Sequence, residues 1–165
     1  MPIDLVQNQI AIRRAVVHLC GQMGWAALHE LVLPDGRRAD IMALRPDNGF
    51  VCIEIKSGPR DFLTDAKWAC YRDWCDQLFF AVDRGFPRDL LPDTAGIMVA
   101  DTDAVPGGLN VIAESAILRD SATSALAPAR RRKLTHLFAM QAATRLGRLD
   151  DPAVTAALRT ARRVE

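Results

Sequence analysis

Apolar and polar positions along the chain change their spacing several times, and each change marks an expected element. Apolar residues follow helical spacing from the N-terminus until Gly21 and Gly24. Two turn signals, Pro34-Asp35-Gly36 and Pro46-Asp47-Asn48-Gly49, then separate three strand-like stretches. Two tight connections in succession favour an antiparallel three-stranded meander. The pattern predicts a helix over residues 4–22 and strands over 25–33, 37–45 and 50–57.

The spacing becomes helical again after Gly58-Pro59, which breaks the third strand. The wholly apolar run Leu78 to Val82 is typical of a strand buried on both faces. In chain order, we expect an amphipathic helix over 61–75, that buried strand, a short helix over 87–91, a buried strand over 96–100, an edge strand over 109–113, a long helix over 127–146 and a weaker helix beginning at Asp151-Pro152. This order predicts an α/β domain with a mixed β-sheet and helices packed on it.

The chain length of 165 residues suits one domain. We expect a single domain over residues 1–146 and a C-terminal helical extension over 147–165, packed on the domain or trailing from it. No run of about 18 apolar residues predicts a membrane span, and the N-terminal stretch lacks the pattern of a signal peptide. The four cysteines form no CxxC pair and lie in apolar or helical contexts, which predicts buried free thiols in a cytoplasmic protein.

Charge gives the chain no overall attraction to nucleic acid, because 21 basic and 20 acidic side chains leave a net charge of +1. Any such binding must come from local clusters of positive charge. Arg130, Arg131, Arg132 and Lys133 form the dense basic run of the sequence. This run is either a set of phosphate contacts or a solvated helix start.

The third predicted strand places two opposite charges on one face. Side chains alternate faces along a strand, so Val51, Ile53 and Ile55 point one way while Glu54 and Lys56 point the other. Burying either charge alone would cost several kcal/mol, and a purely structural pair can usually be replaced by apolar residues. The pair therefore points to a functional role.

Asp40 interrupts the otherwise apolar second strand. In one register of the meander, Asp40 lies beside Glu54, so that two carboxylates and the Lys56 ammonium converge. Such oxygen ligands suit Mg²⁺ or Mn²⁺, and the lysine would stabilise developing negative charge. The alternative is a set of ion pairs at the strand edge that contributes little.

The spacing of Asp40 and Glu54-Ile55-Lys56 resembles the signature of the PD-(D/E)xK nuclease superfamily. A narrower resemblance, to the MmcB-like DNA repair family, covers most of the chain from Glu30 to Leu146. The stretches that carry it are 36–44, 54–57, 61–68, 75–83 and 126–131. This resemblance implies a restriction-endonuclease-like core, in which a helix, a three-strand antiparallel meander, a helix and a further strand build a mixed sheet flanked by helices.

The same resemblance implies roles for individual residues. Asp40 and Glu54 match the metal-binding acids, the backbone carbonyl of Ile55 matches a further ligand, and Lys56 matches the catalytic lysine. Ala39 stands where the superfamily name has proline, at a position that varies.

Two further site residues depend on the resemblance as well. Many superfamily members carry an additional acid on the first helix, where this chain offers only Asp4 and then Gln9. Glu30, on the first strand, is the better candidate for that extra metal ligand. Lys67 matches a position that often holds a polar or basic catalytic residue. Alternatively, Lys67 only lays its stem along aromatic surface of its own helix.

DNA contacts are expected near this chemistry, from Arg37 and Arg38 beside the site strand and from Arg60 after Lys56. The resemblance implies a DNA repair protein, specifically a metal-dependent phosphodiesterase (endonuclease) that acts on DNA with Mg²⁺ or Mn²⁺. A catalytically silent DNA-binding or scaffold protein of a repair complex is the alternative. A repair-protein partner and a homodimer are left open.

Overall fold

The computed structural model of the protein describes residues 5–102 and 115–153. Two compact units divide the chain: the described residues up to Ala127 form one, and those from Pro128 onward form the other. The elements are α1 (Leu5–Gln22), β1 (Ala26–Val32), β2 (Arg38–Leu44), β3 (Phe50–Ile55), α2 (Pro59–Thr64), β4 (Gln77–Asp83), β5 (Gly96–Ala100), β6 (Ala116–Arg119) and α3 (Pro128–Asp150), with short 3₁₀ helices at Trp68–Trp74 and Arg88–Leu90.

The first unit is built on a six-stranded sheet whose strands lie in chain order, β1-β2-β3-β4-β5-β6. Strands β1, β2 and β3 are antiparallel, β3, β4 and β5 are parallel, and β6 runs antiparallel to β5. The predicted mixed α/β sheet and its three-strand meander are confirmed. Gly36, with φ of 86°, and Asn48, with φ of 65°, adopt the left-handed backbone that the two predicted turns require.

Helix α1 packs on one face of the sheet. Its buried residues Ile12 and Val16 join a core cluster with Val51, Ile53 and Ile55 of β3. These are the strand residues that period-two alternation assigned to a common face. The alternation argument is therefore confirmed, and Glu54 and Lys56 belong to the opposite face.

The opposite face of the sheet has its own apolar cluster around Phe80 of β4. Phe62 of α2 packs against Phe80 with ring centroids 5.3 Å apart, and Trp68 does so at 5.6 Å, both edge to face. Such aromatic pairs contribute about 0.5–1.5 kcal/mol beyond the area they bury. They anchor the segment between β3 and β4 to the sheet.

The continuous helix predicted over 61–75 is wrong, because the structure divides this segment at Asp65. Helix α2 ends at Thr64, and the 3₁₀ helix begins only at Trp68. The Asp65 carboxylate accepts hydrogen bonds from the Lys67 backbone N–H at 2.9 Å and from Lys56 Nζ at 2.6 Å. Aspartate bonds of this local kind compete with helix continuation, and here a lysine on β3 reinforces the break.

Several predictions concern the C-terminal half. The edge strand predicted over 109–113 lies outside the described residues, and the observed sixth strand is Ala116–Arg119. The predicted long helix is confirmed as α3, which begins at Pro128 and continues past residue 146 to Asp150. Beyond it, residues 152–153 are helical and the rest of the predicted third helix lies outside the described residues. The domain boundary at residue 146 stays a prediction.

Two expectations from composition can be compared with the described residues. None of their helices has the length and apolar character needed to cross a membrane. All four cysteines are free thiols, as predicted; Cys20, Cys52 and Cys75 are buried and Cys70 is half-buried.

Candidate metal and phosphodiesterase site

The candidate site lies where hydrogen bonds to side chains replace the backbone ladder between β2 and β3. The register pairs Ile41 with Ile53, which places Asp40 opposite Glu54. Here the Asp40 N–H donates to Glu54 Oε1 at 3.2 Å, and the Ile55 N–H donates to Asp40 Oδ2 at 2.9 Å. The structure therefore brings the two predicted acids together, and each carboxylate is fixed by a backbone N–H.

The backbone pairing between β1 and β2 is also interrupted beside Asp40. Its pairing with β2 keeps one register throughout but skips Glu30 and Asp40. Glu30 has φ of 50°, in the left-handed region that residues with a side chain rarely adopt. Backbone outliers of this kind cost about 1–3 kcal/mol and cluster at functional sites. The strain at Glu30 thus coincides with the candidate metal site.

Burial disfavours the ionised forms of Asp40 and Glu54. Glu54 is only 4% exposed, and burial together with the neighbouring Asp40 carboxylate raises its pKa to about 8. Burial likewise raises the pKa of Asp40 above its ordinary value. The Cys52 Sγ, which lies 3.8 Å from Glu54 Oε1, adds a weak hydrogen bond. In the absence of a cation, Glu54 therefore keeps its proton near neutral pH.

Lys56 lies on the same face of β3 as Glu54 and is only 5% exposed. Its Nζ donates to Asp65 Oδ2 at 2.6 Å. Burial opposes ionisation of Asp65, but the hydrogen bonds from Lys56 and from the Lys67 N–H outweigh it and hold the pKa of Asp65 below its usual range. Asp65 thus fixes the position of the Lys56 ammonium.

Sequence reasoning missed Asp65 because it placed that residue on the surface of a continuous helix. The local signal was Asp65-Ala66-Lys67, because an aspartate side chain can accept a hydrogen bond from the backbone N–H two residues later. The contact with Lys56 joins residues nine positions apart and depends on the chain folding back over β3.

A cavity of about 150 Å³ opens beside Asp40. Seven residues line it: Gln9, Ile10, Arg13, Glu30, Arg38, Asp40 and Ile55. Four of them were singled out from the sequence, namely Glu30, Arg38, Asp40 and Ile55. The three contributed by α1 were not, because the packing of a helix against a particular strand end leaves no local pattern.

The predicted DNA-binding arginines of the first unit differ in their surroundings. Arg38 is 62% exposed at the cavity, with Nη2 4.0 Å from Glu30 Oε1. Arg37 is instead bound to Asp35, with Nη1 2.7 Å from Oδ2. Arg60 is exposed on α2 and does not line the cavity. Arg38 is therefore the arginine of this group that lies at the candidate site.

The remaining predicted residues lie elsewhere in the chain. Lys67 is exposed and directly precedes the 3₁₀ helix, so the helix on which it was expected does not extend through it. Arg130 and Arg131 lie in the first turn of α3, in the second compact unit. Their roles stay predictions.

A buried side chain of α1 also reaches the strand ends next to the site. Asn8 Nδ2 donates to Asp83 Oδ2 at 2.8 Å and to the Ser57 carbonyl at 3.3 Å. Ser57 directly follows Lys56, and Asp83 ends β4. Asn8 therefore ties α1 to the ends of both parallel strands, a contact that no local sequence pattern predicts.

The donors at this site fit a small divalent cation. Mg²⁺ is commonly bound by one or two carboxylates, with water and substrate oxygens completing the shell. Asp40 Oδ1 and Glu54 Oε2 accept no hydrogen bond from the described residues, so each acid keeps one oxygen for a ligand. Within residues 5–102 and 115–153, no three His, Cys, Asp or Glu side chains form a metal-binding group, so Glu30 does not complete one.

Fold and site together define a class: a mixed α/β protein in which adjacent strands carry a buried carboxylate, a half-buried carboxylate and a buried lysine. This arrangement is compatible with the PD-(D/E)xK superfamily. A family model described as "DNA repair protein MmcB-like" matches residues 3–153, and the chain belongs to this MmcB-like family.

A solved structure supports the fold. The chain is similar to the SPO1766 protein of unknown function from Silicibacter pomeroyi, with 36% sequence identity and a TM-score of 0.78. The match covers 92% of this chain and 95% of that one. No curated protein matches the chain.

Proposed function

We propose that this protein is a metal-dependent phosphodiesterase that cleaves DNA during repair. The observation that carries the proposal is the pairing of Asp40 with Glu54 at the interrupted end of the β2–β3 ladder, two residues before the buried Lys56. The DNA repair description of the family supports the choice of DNA as substrate.

Asp40, Glu54 and the Ile55 carbonyl would hold one Mg²⁺ or Mn²⁺ ion. Bound there, the ion would lower the pKa of a water molecule and polarise a phosphoryl oxygen. The protein's own contribution is preorganisation, because two backbone N–H groups already orient the carboxylates. The unfavourable burial of two negative charges also favours a cation at this position.

Lys56 would act on the transition state. Its ammonium is the positive charge on the same face of β3 as Glu54, where it stabilises negative charge that develops on the phosphate oxygens or orients the attacking water. Asp65 holds that ammonium at 2.6 Å, so little reorganisation is needed when substrate arrives. Asp65 is thus a positioning residue in this scheme.

DNA would be bound by local positive charge, because the net charge of the chain is only +1. Arg38 is the first candidate, since it is exposed and lines the cavity next to Asp40. Arg37 contributes less, because Asp35 already neutralises it. Arg60 and Lys67 are exposed after β3, and Arg130 and Arg131 are further candidates in the second unit. A repair-protein partner and a homodimer stay predictions from the sequence.

Two observations favour a second candidate function, a DNA-binding scaffold without turnover. The Lys56 ammonium is already bonded to a carboxylate, and the described residues contain no cluster of three acids. Both features would also suit a site that binds DNA or a cation but does not cleave.

A cleavage assay separates the two candidates. Purified protein is incubated with single-stranded, duplex, nicked and branched DNA in Mg²⁺ or Mn²⁺, beside Glu54→Gln and Lys56→Met. Matched controls are Asp93→Asn and Arg88→Met, which remove an exposed acid and an exposed basic side chain. We expect cleavage of at least one substrate, a loss of about 100-fold or more in both site variants, and none in the controls.

Cleavage that persists in both site variants would reject the site. Absence of cleavage on every substrate, with DNA binding intact, would favour the scaffold.

A further inference from the structure

The cavity beside Asp40 has a second polar wall, provided by α1, that the proposed metal chemistry does not use. Gln9 and Arg13 are four residues apart and so lie on the same face of the helix. Neither side chain forms a hydrogen bond or ion pair with any residue that the structure describes. Arg13 is half-buried and lines the cavity without a side-chain partner among the described residues.

A half-buried guanidinium in this setting favours an anion. Its planar array of donors matches the oxygens of a phosphate, and charge-assisted hydrogen bonds of this kind are about twice as strong as neutral ones. The other arginine of the cavity, Arg38, is already near Glu30 at 4.0 Å. Arg13 is therefore the cavity arginine whose charge no carboxylate of the described residues offsets.

The negative groups of the cavity limit where an anion can lie. Glu30 and Asp40 also line it. Glu30 is offset by Arg38, whereas Asp40 would repel a phosphate unless a cation is bound beside it. A phosphate on the α1 side of the cavity would therefore bind together with a cation on the Asp40 side.

The size of the cavity also suits a phosphate group. A volume of about 150 Å³ is enough for a phosphate group. The cavity is partly open to solvent, so a strand bound there can continue beyond it. The ligand is then one phosphate of a strand that runs past the cavity.

We infer that this cavity is a phosphate subsite, in which Arg13, assisted by Gln9, binds the phosphate adjacent to the one positioned at Asp40 and Glu54. The adjacency rests on the proposed function; the binding of phosphate by Arg13 does not. An internal phosphodiester and a terminal phosphate share the chemistry required.

Anisotropy of fluorescent single-stranded oligonucleotides tests this inference, with Ca²⁺ replacing Mg²⁺ to allow binding without turnover. The variants are Arg13→Gln, Arg13→Lys and the control Arg14→Gln, which removes the exposed neighbouring arginine. Oligonucleotides with a 5′-phosphate, a 3′-phosphate or neither separate the two sources of the anion. Thermal melting of each variant checks that it is folded.

We expect Arg13→Gln to weaken binding by about tenfold and to reduce the slope of log K against log salt by about 0.7, the value for one lost contact to a single strand. Arg13→Lys should keep the slope, and Arg14→Gln should bind like the wild type. A loss seen only with one phosphorylated end assigns the pocket to a terminal phosphate, and a loss seen with all three assigns it to an internal one.

Equal DNA affinity of Arg13→Gln and wild type would overturn the subsite, as would an equal loss in Arg14→Gln. The proposed activity fails separately. A wild type that never cleaves, but whose binding depends on Arg13, would keep the subsite and reject the phosphodiesterase. If the wild type cleaves and Arg13→Gln binds and cleaves equally well, the phosphodiesterase is kept and the subsite is rejected.

Discussion

The backbone N–H of Asp40 donates a 3.2 Å hydrogen bond to the side-chain carboxylate of Glu54 on the neighbouring strand. The Asp40 carboxylate in turn accepts from the N–H of Ile55 at 2.9 Å. Side chains thus replace ladder bonds at the place where the register would put the two acids opposite each other. This exchange fixes both carboxylates and concentrates negative charge in a buried position, where it costs stability unless a proton or a cation is bound.

The first prediction concerns the stability of the protein in EDTA. The pKa of Glu54 is raised to about 8, so the folded state retains a proton that the unfolded state has released. The stability contributed by this bound proton is fully present below the pKa that Glu54 has in the unfolded state. It is lost as the pH rises from there to about 8, by at most about 1.4 kcal/mol per pH unit.

Urea unfolding between about pH 5 and pH 9 measures this loss. Glu54→Gln is the control, because it keeps a carbonyl oxygen for the Asp40 N–H but cannot ionise. The difference in unfolding free energy between wild type and variant should change with pH over that window. A constant difference would contradict the raised pKa.

The second prediction concerns metal affinity. Because a ligating carboxylate must be deprotonated, the affinity for Mn²⁺ should rise about tenfold for each unit that the pH rises towards the Glu54 pKa of about 8, and should stay constant above it. Calorimetry at several pH values measures the dissociation constant. Asp40→Asn should weaken binding throughout, whereas Asp93→Asn should not; pH-independent binding in the wild type would argue for ligands other than Glu54.

The third prediction concerns the ion pair between Lys56 and Asp65. Asp65→Asn leaves a lysine that is 5% exposed without its carboxylate. Exposed ion pairs contribute up to about 1 kcal/mol, whereas loss of one partner of a buried pair costs about 3–5 kcal/mol. Because Asp65 is partly exposed, its loss should lower the free energy of unfolding by about 2 kcal/mol. Urea unfolding at neutral pH measures the loss.

Lys56→Met provides the comparison for that pair, because it removes the buried charge and keeps an apolar stem. It should cost less stability than Asp65→Asn while abolishing any cleavage. If the two variants are equally stable, Asp65 does not hold the lysine.

The fourth prediction tests the sheet itself. A Cβ on Gly96 would lie 2.3 Å from two ring atoms of Phe79, its partner across the β4–β5 ladder. Gly96→Ala should therefore destabilise the first unit by about 1–3 kcal/mol, the usual cost of overpacking. In Gly21→Ala of α1, where no atom lies within 4 Å, the helix should instead gain up to about 1 kcal/mol. Thermal melting of both variants measures the effect, and a Gly96→Ala protein as stable as the wild type would contradict this strand register.

The sequence predicted the parts of the site that depend on short-range rules. Alternation along β3 placed Glu54 and Lys56 on one face, and two turns with left-handed residues brought Asp40 onto the neighbouring strand. These features depend on spacing within about thirty residues, which a sequence displays directly.

The contacts that the sequence did not reveal are tertiary. Arg13 and Gln9 reach the cavity only because α1 packs across the strand ends, and Asp65 breaks the predicted helix because its carboxylate bonds to a lysine of β3. Local propensity favours a continuous helix over that segment, and the tertiary contact overrides it. Glu30 shows the same limit, since its left-handed backbone has no signal in the residues around it.

The location of a bound Mn²⁺ ion decides whether Asp40 and Glu54 form a metal site. Crystals grown at about pH 8 or above, where Glu54 can ionise, would be soaked in Mn²⁺ and measured for anomalous scattering. We expect an anomalous peak within ligand distance of Asp40, Glu54 and the Ile55 carbonyl, and its loss in Glu54→Gln crystals. A Mn²⁺ peak elsewhere, with none beside Asp40 and Glu54, would contradict it.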